Sequence, residues 1–233
     1  MNSILDSIPD GGAGCALVVA PHPDDEILGA GGTISKMLKA GRQVHVCVVT
    51  TGRAPLFDAQ QARTVRLETE KAHAFLGVTQ THWLDLPAAE LAETPQRELN
   101  GAIGNLVATL KPEILIIPHV GDIHIDHQLV HLAAMVAARP HQEWHPAVIM
   151  AYETLSETNW NTPSATPPFV PNVFVDISQH LEQKLAAFAI FESQAKQPPH
   201  ERSVNTLRAL ATLRGATVHR DAAEGFILIR HIG

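Results

Sequence analysis

The chain has 233 residues, 45% of them hydrophobic, which is enough for one α/β domain with a buried core but cramped for two. Its 17 lysine and arginine residues against 24 aspartate and glutamate residues give a formal net charge of −7, which argues against a nucleic-acid partner. No apolar run reaches the length of a membrane span, and the amino terminus lacks the features of a signal peptide. We therefore expect a soluble, cytoplasmic protein.

The numbers of cysteine and histidine residues do not by themselves identify a disulfide or a metal site. The two cysteines, Cys15 and Cys47, lie in apolar runs far apart in the sequence, so neither a disulfide framework nor a thiolate metal site is expected. Histidine is abundant, with 14 copies, and its number alone therefore identifies no ligand.

Apolar runs alternate with stretches of helical periodicity along the chain. Residues 1–14 are expected to form a loose arm. Strands are predicted over residues 15–20, 44–50, 81–84, 113–118, 147–152, 173–177 and 226–230. Helices are predicted over residues 33–40, 61–76, 95–110, 127–139, 181–194 and 204–214. Ser178 is the expected cap of the helix at 181, and the proline-rich residues 156–171 are predicted to form a long surface loop.

This alternation predicts an α/β fold with a mostly parallel central sheet covered on both faces, in a single domain over residues 1–233. In such sheets, ligands bind beyond the carboxyl ends of the strands. Three loops are expected there: residues 22–26, 51–53 and 122–127.

Two of these loops contain several histidine and acidic residues within a few positions. Residues 20–26 read Ala-Pro-His-Pro-Asp-Asp-Glu, and residues 122–127 read Asp-Ile-His-Ile-Asp-His. Each follows a predicted buried strand. Taken separately, the first could be a capped helix start whose acids satisfy the helix dipole, and the second a polar loop whose histidines bond the backbone. Their joint position at the ends of two buried strands favours a shared site.

Zinc prefers histidine nitrogen and carboxylate oxygen, and a catalytic zinc site keeps one position for water. His22, one of Asp24 and Asp25, and one of His124 and His127 can supply such a set. The acid that does not bind metal can take a proton from the attacking water.

The remaining histidine of the second motif could stabilise an oxyanion or protonate a leaving amine. Asp126 could orient one of the two histidines in its motif. Arg53 is either a solvated charge or an anion contact, and Arg66 and Glu68 share a helix on which they either pair with each other or lie at the surface.

Together these features resemble the LmbE-like, or PIG-L type, zinc-dependent N-acetylglucosaminyl deacetylases. The similarity spans nearly the whole chain, with the weaker matches towards the C-terminus. It is carried by residues 21–26, 29–32, 50–52, Glu68 with 76–78, 124–127, 152–153, 171–174, 193–194, 199–203 and 214–215. Two departures are Arg53, where many members carry glutamate, and Gly225, where alanine is frequent.

The resemblance implies a Rossmann-like three-layer fold, a small-molecule amino-sugar substrate and assembly into homo-oligomers, often trimers or hexamers. The implied ligands of Zn²⁺, or of Fe²⁺ or another divalent metal, are His22, Asp25 and His127. The implied catalytic residues are the general base Asp24, His124, which steadies the tetrahedral intermediate or acts as the acid, and its orienting partner Asp126. Candidate substrate contacts are Arg53, His200 and Arg202.

The expected reaction is hydrolysis of the N-acetyl group of an N-acetylglucosamine-type sugar or its conjugate, with release of acetate. An alternative is hydrolysis of another N-acyl amide, such as an acylated amino acid, in the same metal site. A sugar- or nucleotide-binding module without catalysis is a further alternative, against which the intact motifs argue.

Overall fold

The structure is a computed structural model that describes residues 14–162 and 164–233. Within these residues one sheet contains the strands β1 (Cys15–Ala20), β2 (Gln43–Thr51), β3 (Gln80–Pro87), β4 (Ile114–Pro118), β5 (Val148–Tyr152), β6 (Val173–Asp176) and β7 (Ala223–His231). The strand order is β3-β2-β1-β4-β5-β7-β6. The first five strands are parallel, and β7 is antiparallel to both of its neighbours.

Helices cover both faces of the sheet. One face packs against α1 (Asp25–Lys39), α2 (Ala59–Leu76), α5 (Leu181–Ala189) and α6 (Val204–Thr217), and the other against α3 (Gln96–Leu110) and α4 (Ile125–Ala137). Successive strand side chains point to opposite faces, so Val18 belongs to the first apolar layer and Leu17 to the second. The predicted three-layer α/β fold with a mostly parallel sheet is confirmed.

The strand order reverses at β1, which lies between β2 and β4. The chain leaves β1 towards α1 on one face and leaves β4 towards α4 on the other face. A crevice therefore opens between the two loops that follow these strands, as is usual at such a switch point. The two polar motifs lie in these loops.

The predicted helix at 33–40 is wrong at its start, because α1 begins at Asp25 and includes Gly29, Gly31 and Gly32. A Cβ atom at Gly29 would lie 2.1 Å from the Tyr152 ring, and one at Gly32 would lie 2.7 Å from Ile177. Close packing of α1 on its neighbours requires glycine there and outweighs the weak helix propensity of glycine.

Two other boundaries differ from the prediction. α4 begins at Ile125 with His124 as its N-cap, whereas its predicted start was residue 127. α5 ends at Ala189 rather than 194, and its N-cap is His180 instead of Ser178. The Ser178 hydroxyl is engaged elsewhere, because it donates to Asp176 at 2.6 Å. The remaining predicted elements are present with small shifts at their ends.

The loose arm predicted for residues 1–14 lies outside the described residues, apart from Gly14. The single domain over residues 1–233 and the homo-oligomer stay predictions. Among the helices of residues 14–162 and 164–233, none combines the length and apolarity needed to cross a membrane.

We expect Gly29→Ala to destabilise the protein by about 1–3 kcal/mol or more, because the added methyl group overpacks the contact with Tyr152. The matched control is Gly101→Ala in α3, where a Cβ atom would meet nothing within 4 Å. That change should stabilise by about 0.5–1 kcal/mol. Urea unfolding of both variants measures the difference, and equal stabilities would contradict the packing argument.

Candidate metal centre

Three side chains converge where the loops after β1 and β4 meet. His22 lies in the turn after β1, Asp25 is the first residue of α1, and His127 lies in the first turn of α4. His22 Nδ1 is 3.4 Å from Asp25 Oδ2 and 3.3 Å from His127 Nε2, and the latter two atoms are 3.2 Å apart. The three atoms therefore form a nearly equilateral triangle.

This triangle has the size that a tetrahedral metal site requires. Zinc–nitrogen and zinc–oxygen distances of about 2.0–2.2 Å place two ligand atoms of a tetrahedron about 3.3–3.5 Å apart. The three edges of the triangle, at 3.2–3.4 Å, lie close to that separation. A divalent cation could thus bind His22, Asp25 and His127 without rearrangement of their donor atoms.

Two further carboxylates determine which ring nitrogens carry protons. Asp122 Oδ2 lies 2.8 Å from His127 Nδ1, and Asp126 Oδ2 lies 3.1 Å from His22 Nε2. A neutral histidine donates to such a carboxylate from the facing nitrogen and keeps a lone pair on the other. Both lone pairs then face Asp25, whose other oxygen, Oδ1, is buried with no hydrogen-bond partner among the described residues. Although Asp25 Oδ2 also accepts the His22 backbone N–H at 2.8 Å, the two ring lone pairs and this carboxylate need a positive charge between them, which either a proton or a metal ion can supply.

The pKa values reflect the same concentration of negative charge. Burial lowers the pKa of His127, but Asp25 and Asp122 outweigh it and raise this pKa to about 10. Burial raises the pKa of Asp25, but His127 and His22 hold it well below the usual range. A buried cluster of this kind takes up a proton or a metal ion, and the two compete for the same lone pairs.

A second group of potential ligands shares one residue with the first. It consists of His22, His124 and Asp126, whose donor atoms lie within 4.8 Å of one another. The Asp126 carboxylate already accepts the backbone N–H groups of Ala89 at 2.7 Å and Leu91 at 3.2 Å in addition to the His22 ring. Because its charge is satisfied by these donors, the first group suits a cation better.

Asp24 is buried beside the triangle but has a different partner. Its Oδ2 accepts from Arg202 Nη1 at 3.2 Å. Its backbone has a φ of 98°, a left-handed conformation that is unfavourable for aspartate and lets adjacent Asp24 and Asp25 serve different partners. Burial raises the pKa of Asp24 to about 8 against the lowering effect of Arg202, with a further increase from Asp25 and Glu26.

A cavity of about 240 Å³ adjoins the candidate ligands. Both motifs contribute to its wall, together with aromatic and polar side chains from other loops. These lining residues include His22, Asp24, Phe57, Trp83, His124, Glu157, Gln194 and Arg202. A bound molecule would therefore touch a candidate ligand, a second acid and a second histidine at once.

The structure corrects the predicted role of Asp126 as the orienting partner of His124. His124 is the N-cap of α4, and its Nδ1 accepts the backbone N–H of Asp126 at 3.1 Å. The carboxylate of Asp126 instead holds His22. Burial and the neighbouring His22 lower the pKa of His124 to about 4. The neutral ring therefore carries its proton on Nε2.

The three predicted substrate contacts lie in different surroundings. Arg202 lines the cavity. Arg53 is exposed and donates to the backbone oxygen of Asp85. His200 is also exposed, and its Nδ1 accepts the backbone N–H of Arg202 at 3.0 Å, so it supports the loop that carries Arg202. The cavity wall near Arg53 is formed instead by Gly52 and Phe57.

Sequence reasoning missed Asp122, although it is the first residue of the second motif. It lies five positions before His127 and is fully buried, and its second oxygen accepts from the Thr158 hydroxyl at 2.6 Å. The available signal was an acid in the loop that follows a buried strand, five residues before a histidine. Trp83 and Phe57 were missed because nothing in their local sequence indicates a cavity.

A buried centre of two histidines and one aspartate at the switch point of a parallel sheet, beside a cavity with a second acid, is typical of metal-dependent hydrolases. Comparison with known proteins identifies the family. A model of the family described as PIG-L: GlcNAc-PI de-N-acetylase matches residues 17–138, over half of the chain. The chain belongs to this family, and the resemblance inferred from its motifs is confirmed.

Several characterised deacetylases are similar to this chain. It is 31% identical over 221 residues to diacetylchitobiose deacetylase of Thermococcus kodakarensis, covering 90% of this chain and 80% of that protein. It is 25% identical to the 1D-myo-inositol 2-acetamido-2-deoxy-α-D-glucopyranoside deacetylase of Mycobacterium sp. strain JLS, covering 80% of this chain and 76% of that protein. The structure of N,N'-diacetylchitobiose deacetylase from Pyrococcus horikoshii matches with a TM-score of 0.75 and 25% identity, covering 95% and 85% of the two chains.

We expect Asp122→Asn to weaken zinc affinity about 10- to 100-fold, because the amide no longer supplies the charge that holds His127 with its lone pair towards Asp25. His127→Ala should abolish tight binding. Competition with a chromophoric chelator measures the affinities, and Asp221→Asn at an exposed position is the control. Unchanged affinity in both test variants would place the metal elsewhere.

Proposed function

We propose that this chain is a zinc-dependent hydrolase that removes the N-acetyl group from an N-acetylglucosamine-type amino sugar or its conjugate. The proposal rests on one observation: three lone pairs converge beside a cavity that also holds a second, unligated acid. The names of the relatives, which describe deacetylation of amino sugars, support the choice of substrate class.

His22, Asp25 and His127 would hold the metal. When bound there, zinc supplies Lewis acidity towards the amide carbonyl and towards the attacking water. A set of two nitrogens and one oxygen also suits Fe²⁺, so measurement of metal content in the purified protein decides between the two metals.

Asp24 is the proposed general base. It lines the cavity, it is not part of the ligand triangle, and its carboxylate is held by Arg202 at 3.2 Å. It takes a proton from water as the oxygen attacks the acetyl carbonyl carbon, and it returns this proton to the amide nitrogen as the carbon–nitrogen bond breaks. The products are acetate and the free amino sugar.

His124 is the proposed donor to the oxyanion. Because its Nδ1 accepts a backbone N–H, its Nε2–H is the group left for the substrate, and the ring lines the same cavity as Asp24. A neutral donor fixed by a helix cap stabilises negative charge on the carbonyl oxygen without reorganisation. Asp126 acts through His22 as a positioning residue.

We expect Asp24→Asn to lower kcat by about a hundred- to ten-thousand-fold while zinc content stays near one per chain. Asparagine suits this test because it tolerates the left-handed backbone of residue 24 better than alanine does. Acetate release and metal content are measured on the same preparation. Near-normal turnover would remove Asp24 from the mechanism, and loss of the metal would make it a ligand.

A substrate panel tests the reaction itself. The zinc-loaded protein should release acetate from N-acetylglucosamine or N,N'-diacetylchitobiose and should act poorly on N-acetyl amino acids, which lack the sugar ring. The reverse preference would favour the alternative of a general N-acyl amide hydrolase. Absence of acetate release from every acylated compound, with zinc bound, would favour a non-catalytic binding module.

A further inference from the structure

A chain of hydrogen bonds runs from α2 to the cavity wall. Glu68, which is 8% exposed, accepts the Ser193 backbone N–H at 3.0 Å on Oε1 and the Ser193 hydroxyl at 2.5 Å on Oε2. The Ser193 hydroxyl oxygen in turn accepts from Gln194 Nε2 at 3.0 Å. Gln194 lines the cavity, so this series of hydrogen bonds ends at the space proposed for the substrate.

The donors and acceptors in this series of hydrogen bonds can be arranged in only one way. Both oxygens of Glu68 face donors, so the carboxylate acts as an acceptor. The one hydroxyl proton of Ser193 is therefore used towards Glu68, and its oxygen can only accept. Gln194 must then turn its NH₂ group to Ser193. The network therefore determines the orientation of this amide, with its nitrogen towards Ser193 and its oxygen on the other side.

The backbone of Gln194 is fixed as well. Its N–H donates to the carbonyl oxygen of Phe191 at 2.9 Å, and the Phe191 side chain is fully buried in the first apolar layer. With the backbone and the NH₂ group both held, the Gln194 carbonyl oxygen is a preoriented acceptor. Preorganised polar groups of this kind discriminate between ligands that can and cannot complete the hydrogen bond.

We propose that the Gln194 carbonyl accepts a hydrogen bond from a ring hydroxyl of the amino sugar and so contributes to sugar specificity, with Glu68 as the residue that positions it through Ser193. This inference rests on the proposed deacetylase function. It predicts a polyhydroxylated substrate with a hydroxyl donor at this wall, as opposed to an apolar amide.

The test combines variants with altered sugars. We measure kcat/KM for acetate release from N-acetylglucosamine and its 3-, 4- and 6-deoxy analogues. The unmodified protein should use one analogue about tenfold less well than the parent sugar. Gln194→Ala should lose about tenfold on the parent sugar and should no longer distinguish it from that analogue.

Glu68→Gln tests the positioning role. Glutamine at this position can donate to Ser193, which frees the serine proton and lets the Gln194 amide turn over. We expect a raised KM with little change in kcat and a weakened preference for the parent sugar over the same analogue. Gln197→Ala, at an exposed glutamine three residues further on, is the matched control and should behave as the unmodified protein. Thermal unfolding confirms that the variants are folded.

The outcomes separate the two levels of the proposal. If the unmodified protein is active and Gln194→Ala still discriminates among the four sugars as before, the role of Gln194 is wrong and the deacetylase function stands. If Glu68→Gln alone leaves the discrimination intact, the positioning role of Glu68 is wrong. If the unmodified, zinc-loaded protein releases acetate neither from these sugars nor from N,N'-diacetylchitobiose or another conjugate of N-acetylglucosamine, both the function and the hydroxyl contact are refuted.

Discussion

The mutual repulsion of three lone pairs is the constraint on which this structure depends. His22, Asp25 and His127 present their acceptors to one another at 3.2–3.4 Å, and Asp122 and Asp126 accept the N–H groups on the opposite side of the two rings. Without a positive charge this arrangement is unfavourable in a buried site. The surrounding fold must therefore keep these groups together, and a cation would bind strongly because the cost of assembling them has been met by folding.

Much of the fold serves to hold α1, whose first residue is Asp25. Glycines at positions 29 and 32 let the helix approach Tyr152 and Ile177 closely. Glu224, on the antiparallel strand β7, accepts the backbone N–H groups of Gly32 at 2.9 Å and Thr33 at 2.7 Å. Lys184 of α5 completes this buried contact with a 2.6 Å ion pair to Glu224. This buried ion pair has its hydrogen bonds completed by the α1 backbone. It therefore fixes the position of the helix and, with it, the position of Asp25.

The sequence predicts the fold well and predicts that the two polar motifs meet, because both follow from local patterns, whereas the choice of His22, Asp25 and His127 among the candidate ligands comes from the family resemblance. Buried parallel strands appear as continuous apolar runs, and the rule that ligands bind beyond strand ends places the two motifs together. The start of α1 could not be predicted in this way, since the need for glycine inside it comes from Tyr152, which is distant in sequence. The partner of Asp126 is equally hidden, because its carboxylate bonds His22 across the switch point. The cavity wall depends on loops such as those of Phe57 and Gln194, whose placement is a tertiary property.

The most direct measurement is anomalous diffraction at the zinc absorption edge from crystals of the zinc-loaded protein. The account predicts one peak per chain, at about 2.0–2.2 Å from His22 Nδ1, Asp25 Oδ2 and His127 Nε2. A peak bound instead by His124 and Asp126, or no peak at the triangle under saturating zinc, would contradict it.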